Sequence, residues 1–320
     1  MQRLRRQVKV AQLRRPFDTS SLGQEADEQV EIARKERFES CHRVEFGRPT
    51  EFIKPSDRPQ PVLSDRLFAI DTRADHLSGA KAIITGSGKT HTWNTASASF
   101  LLSLCFYHDV LGSVSRGTRP LLELDKQRFP IGDIAIEGIP SMQGLTAVLQ
   151  IVARISRMQG EGASDPVAEG FSVQEALYAL GESAEGDIEH TVQAYKHAAF
   201  IYLYRVWCNV GAPNPLTLKH AASCLYHLSQ VKLSSPLLSG HVWPLWTAGC
   251  ETIDSQLRQF VCDRVDAMFA VRHLPSLQRI RQDIEEVWKC KDDSRKSTGV
   301  DNVDCIKVIL RNRQREADLA

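Results

Sequence analysis

Gly86, Gly88, Lys89 and Thr90, within the stretch TGSGKT, have the residue types and much of the spacing of a phosphate-binding loop. In the pattern G-x-x-x-x-G-K-[ST], glycines let backbone N–H groups curl around the phosphates. The lysine neutralises them and the hydroxyl holds magnesium. Gly88, Lys89 and Thr90 supply the second half, but Ile83 stands where the first glycine belongs. A β-branched residue opposes the backbone conformation and close approach that glycine provides there. Lys81-Ala-Ile-Ile84 reads as a short strand leading in, and Leu121-Leu-Glu-Leu-Asp125 as a strand ending in a magnesium-binding acid. Such a site requires a parallel sheet with alternating helices, whereas the chain beyond Asp125 is patterned almost wholly for helix. A flexible turn before a helix is the favoured reading, and nucleotide binding the alternative.

Other chemistry finds less support. The eight cysteines, at positions 41, 105, 208, 224, 250, 262, 290 and 305, include no CxxC pair, which zinc sites of familiar spacing need. Several lie in apolar helical patterns, which predicts reduced, buried thiols in an intracellular protein. His197, His220, His227, His241 and His273 show no partner pattern along the chain. No nucleophile, base and orienting group fall together, so no catalytic residue and no cofactor are assigned.

Charge is placed unevenly. The first fifteen residues hold Arg3, Arg5, Arg6, Lys9, Arg14 and Arg15 without an acid, although all 320 residues sum to +1. These six are candidates for nuclear import or nucleic-acid contact, with a solvated helix as the plainer reading. As DNA ligands they imply weak, sequence-tolerant and salt-dependent binding. No apolar run approaches the roughly 18 residues of a membrane span. Arg and Gln interrupt the N-terminus where a secretory signal needs an apolar core.

Two regions differ in character. Residues 1–94 combine the basic start, a charged helical piece over 24–40 and the proline-punctuated GRPTEFIKPSDRPQP, and read as linker or partly disordered chain. Residues 95–320 read as an all-α domain of roughly eight to ten helices, since no period-2 strand series appears. Leu145, Val148, Leu149, Val152 and Ile155 form one stripe, and Val192, Tyr195, Ala199, Tyr202 and Val206 another. Leu257, Val261, Val265 and Met268 face one way on a third helix, and Leu277, Ile280, Ile284, Val287 and Trp288 on a fourth.

Four stretches, FYHDVLGSVSRGTRPLL (106–122), YKHAAFIYLYRV (195–206), VWPLWTAGCET (242–252) and IEEVWKCKD (284–292), have physical readings of their own. The aromatic and aliphatic residues of the second are core. Pro244 between Trp243 and Trp246 marks a helix start, and Gly249 and Cys250 permit close helix packing. Trp288 closes the core beside Val287, and Asp109 is expected to cap or to face the helix surface. Together, in order and spacing, the four resemble the regulatory domain of fungal zinc-cluster transcription factors, the second fungal-specific transcription factor domain family. The resemblance covers about residues 96–318.

The resemblance implies a nuclear transcription regulator that is not an enzyme. Its partners would be other transcription proteins, a DNA-binding partner or a second copy, and DNA would be met indirectly or weakly. It implies no membrane. Grooves between helices would take a partner helix or a small effector. Family members carry six cysteines that bind two zinc ions and set a helix in the major groove, and this sequence lacks the CxxC pairs for it. Zinc is therefore expected only with a cluster outside these residues. The change of character near residue 95 further raises the expectation that residues 1–93 include translated non-coding sequence, which continuous transcript reads would overturn. A nucleotide-dependent enzyme using Gly86–Thr90 and a helical scaffold without regulatory function are the competing readings.

Overall fold

The computed structural model describes residues 72–86, 96–122, 143–159, 165–181, 186–299 and 302–314, with 317 and 319. Among these residues ten α-helices follow one another: α1 (Thr72–Gly86), α2 (Ala96–Arg116), α3 (Gln143–Arg157), α4 (Pro166–Ala179), α5 (Gly186–Cys208), α6 (Pro215–Gln230), α7 (Val242–Cys250), α8 (Ser255–Arg272), α9 (Pro275–Thr298) and α10 (Cys305–Arg313). A 3-10 turn, Pro236–His241, runs directly into α7. No strand occurs among the described residues, in keeping with the all-α expectation.

The chain writes its own helix boundaries. Asp165-Pro166, Asn214-Pro215 and Ser235-Pro236 each place a polar cap before a proline whose missing N–H costs nothing at a helix start. Asp254 caps α8 by accepting from the N–H groups of Gln256 and Leu257, both at 2.9 Å. Gly299 stops α9 in the left-handed conformation, where its N–H donates to Arg295 O.

α5 is the central element, surrounded by α3, α4, α6, α7 and the 3-10 turn. From Thr191 to Arg205 it is buried at every position except the half-buried His197. The stripe expected from sequence is therefore only one of its packed faces. The predicted stripe of α3 is wholly buried against it, as are Ile280, Ile284 and Val287 of α9 in the same core. Each such side chain contributes about 1.5–3 kcal/mol on burial. A hydroxyl chain ties three helices: Ser113 Oγ donates to Ser156 Oγ at 2.9 Å, Ser156 meets Tyr202 OH at 3.0 Å, and Gln159 Nε2 donates to the same phenol.

α4 reaches α5 through Gly170, where any Cβ would overlap the indole of Trp207. Gly170→Ala is expected to displace that ring and to cost about 1–3 kcal/mol by overpacking. Thermal unfolding, with tryptophan fluorescence reporting the ring, checks this.

At the other end, α1 and α2 share a small satellite core of Ile84, Leu102 and Leu122. Lys81–Ile84, expected as a strand, lies inside α1 instead. Leu121 and Leu122 form no strand either. Their N–H groups donate to the two carboxylate oxygens of Asp109 at 2.8 and 2.7 Å. Asp109 thus fastens the backbone that follows α2 from within that helix, fully buried, and caps no described helix end.

Candidate functional site

Three of the four distinctive stretches meet at one buried ionic hub. Glu251 ends α7, Arg205 lies in the last turn of α5, and Lys291 stands on α9. Arg205 Nη2 donates to Glu251 Oε1 at 2.7 Å and Lys291 Nζ donates to Oε2 at 2.6 Å. The N–H of Ala212 adds a third bond to the carboxylate, donating to Oε2 at 2.7 Å, and Arg205 Nη1 reaches Asn302 Oδ1 at 2.6 Å. Glu251 is 1 % exposed and Lys291 0 %. Burial pushes the Glu251 carboxyl up, but Lys291 and Arg205 beside it more than reverse this and hold it below the ordinary carboxylate value. Burial likewise opposes the Arg205 charge, and Glu251 overcomes it.

The backbone around the hub is shaped to it. A Cβ at Gly211 would overlap the Arg205 guanidinium, so only glycine leaves the cation its seat. Gly249 brings α7 against Val261 and Ile284, and Trp288 Nε1 donates to its carbonyl at 2.8 Å. Arg258 lies over the Trp288 ring and forms a two-pronged bond with Asp292 at 2.7 and 2.9 Å. Chemically the hub holds one carboxylate saturated by donors, which suits it to fixing helix ends rather than to proton transfer.

Further buried polar groups close helix termini. Lys196 Nζ donates to Leu180 O and Gln193 Nε2 to Gly181 O, each at 2.7 Å, just beyond the C-terminus of α4. A cation there also meets the negative end of the helix dipole. Along the entry to α7, His241 Nδ1, Trp243 Nε1, Trp246 Nε1 and Thr247 Oγ1 have no hydrogen-bond partner among the described residues.

One constellation escaped the sequence reading. Nδ1 of His190 lies 3.0 Å from Nδ1 of His227, and Nδ1 of His197 lies 2.8 Å from Nδ1 of His220. His227 stacks on His197 and His220 on Phe200. The signal was present: seven residues forward on α5, from 190 to 197, match seven back on α6, from 227 to 220. That is the register of antiparallel helices joined by a short loop. His241 goes elsewhere, its Nε2 2.9 Å from Thr191 Oγ1, and His273 ends α8 in the left-handed conformation.

Of the candidate nucleotide residues, Gly86 is the last residue of α1, and Gly88, Lys89 and Thr90 lie outside the described residues. Arg3, Arg5, Arg6, Lys9, Arg14 and Arg15 lie outside them too. Among the described residues, no group of three or more His, Cys, Asp or Glu is arranged to hold a metal ion. No helix there is long and apolar enough to cross a membrane.

Fold and hub together define an all-α domain whose polar side chains bind its helices to one another. The chain belongs to the fungal specific transcription factor domain family, whose model it matches over residues 71–315. The protein is accordingly a transcription regulator of the fungal type. No curated protein and no solved structure matches it.

Proposed function

We propose that this chain is the regulatory, partner-binding domain of a zinc-cluster-type transcription factor and that it works in the nucleus without catalysing a reaction. The observation that carries this reading is the family match over residues 71–315. The convergence of Arg205, Glu251, Trp288 and Lys291, drawn from three signature stretches, supports it by giving those stretches a common structural purpose. Because the sequence has no CxxC pair, sequence-specific DNA contact falls to a partner protein or to a cluster outside these residues. Zinc is then no resident cofactor of this chain, and the basic residues between Arg3 and Arg15 act at most in import or in weak phosphate contact.

Tethering tests the regulatory reading. Fused to a heterologous DNA-binding module, the full chain is expected to raise or lower a reporter bearing that module's site, and a fluorescent fusion is expected in the nucleus. An unchanged reporter together with a cytoplasmic fusion would favour the helical scaffold without regulatory function.

A further inference from the structure

His190 and His197 of α5 face His227 and His220 of α6 across one seam. Each helix carries its two rings seven residues apart, about two turns along one side. The rings follow one another in contact, His190 on His227, His227 on His197 and His197 on His220, with Phe200 and Tyr204 closing the inner end. Both close contacts are between Nδ1 atoms, at 3.0 and 2.8 Å. Such a contact holds one hydrogen: one ring donates Nδ1–H and the other accepts on a bare nitrogen. If both rings are charged, two N–H groups face each other and the contact turns repulsive.

The surroundings strengthen that exclusion. Lys196 of α5 and Lys219 of α6 both act against a charge on the inner rings. Asp187 favours a charged His190 at the outer end. Tyr226 lies edge-on to His227, and Tyr178 of α4 packs on Phe200. From the 3-10 turn, His241 joins the same helix through Thr191, with Arg264 of α8 acting on it.

We propose that the α5–α6 seam is a proton-sensitive latch, held shut by two neutral histidine pairs and loosened when acidification charges both rings of a pair. The half-buried His190–His227 pair is where protons enter, and the His197–His220 pair is the inner lock. Burial holds His197 down to about 3 and His227 to about 4, and moves His220 well below its ordinary value. A loosened seam accepts protons near the ordinary value of about 6.5. For each buried ring the folding equilibrium therefore weakens by a factor of about ten per pH unit below that value.

α5 transmits the change. The same helix carries Arg205 of the hub, Lys196 and Gln193 on the end of α4, and Tyr195, whose OH donates to Gly240 O at 2.6 Å. Loosening α5 on α6 thus slackens the hub, α4 and the entry to α7 together. The latch does not depend on the regulatory reading and is tested by other means.

Urea unfolding of the full chain at about pH 7.5 and about pH 5.5 is the test, for the natural sequence and for His197→Asn/His220→Asn. Two asparagines keep an amide contact across the seam but take up no proton. The natural chain is expected to lose about a hundredfold more of its folding equilibrium over this interval than the double variant, about tenfold for each ring removed. Should the variant fail to fold, amide exchange of the natural chain decides. After correction for intrinsic rates, α5 and α6 are expected to lose more protection at the lower pH than α9 does. An equal pH dependence in both chains overturns the latch, as does unchanged protection of α5 and α6.

Discussion

Glu251→Gln is expected to cost about 3–5 kcal/mol of folding free energy, because it leaves two buried cations without a counter-charge. Glutamine matches the shape of the carboxylate and keeps most of the packing, so the loss reports charge rather than a cavity. Lys291 is 0 % exposed, and its ammonium cannot swing to water when its partner becomes neutral. Denaturant unfolding of the full chain followed by circular dichroism measures the effect. Adding Lys291→Met to Glu251→Gln is expected to recover part of the loss, since the uncompensated charge then disappears. A single variant within about 1 kcal/mol of the natural chain, the ordinary scale of an exposed pair, would show that the hub is not the ionic tie drawn here.

Acidification is expected to produce the other large effect, and its sign is set by where protons bind. Burial holds His197 and the fully buried His241 near 3, each further lowered by neighbouring positive groups or rings. An unfolded chain protonates the same rings near about 6.5. Between these values the unfolded state binds more protons, so stability is whole above about pH 6.5 and declines as the pH falls towards about 3. At pH 5 each ring contributes a loss of about 2 kcal/mol, or about 4 kcal/mol for the two, against a typical total of about 5–15 kcal/mol. His220 shifts in the same direction.

The carboxylate of Glu251 acts in a different window. Its folded value lies below the ordinary 4.5, so its contribution is present above that pH and is lost only as the pH falls further. Unfolding curves at about pH 7.5, 6 and 5 therefore exclude Glu251, and the buried Asp109, whose carboxyl burial pushes up, acts in the opposite sense to the histidines. A profile flat across those three points would mean that the folded protein takes up these protons without strain.

Helix identity was legible from about residue 95 onward wherever one face is apolar and the other wet. The stripes of α3 and α9 are buried as their spacing requires. α1 and α4 were not anticipated: α4 is mixed in character, and Lys81–Ile84 is β-branched enough to pass for a strand. α9 runs on to Thr298 past its apolar stripe, which ends at Trp288; between Lys289 and Thr298 only Cys290 is apolar, and hydrophobic period says little about such a stretch.

The functional residues were legible in part. Arg205, Glu251, Trp288 and Lys291 all lie in stretches singled out from sequence, but there they appeared as separate strings. Their meeting depends on α5, α7 and α9 crossing at one point, where Gly211 and Gly249 admit the close approach. The histidines were seen singly for the same reason. Local spacing shows what shares a helix face, and pairing across two helices needs their register as well.

By itself the sequence determined the all-α class, the apolar faces and the family resemblance, because these follow from short-range period and residue type. Only the tertiary structure decided that α5 is central, that Glu251 unites two cations and that four histidines pair. Those are properties of residues tens of positions apart, brought together by packing that buries charge only where a partner waits.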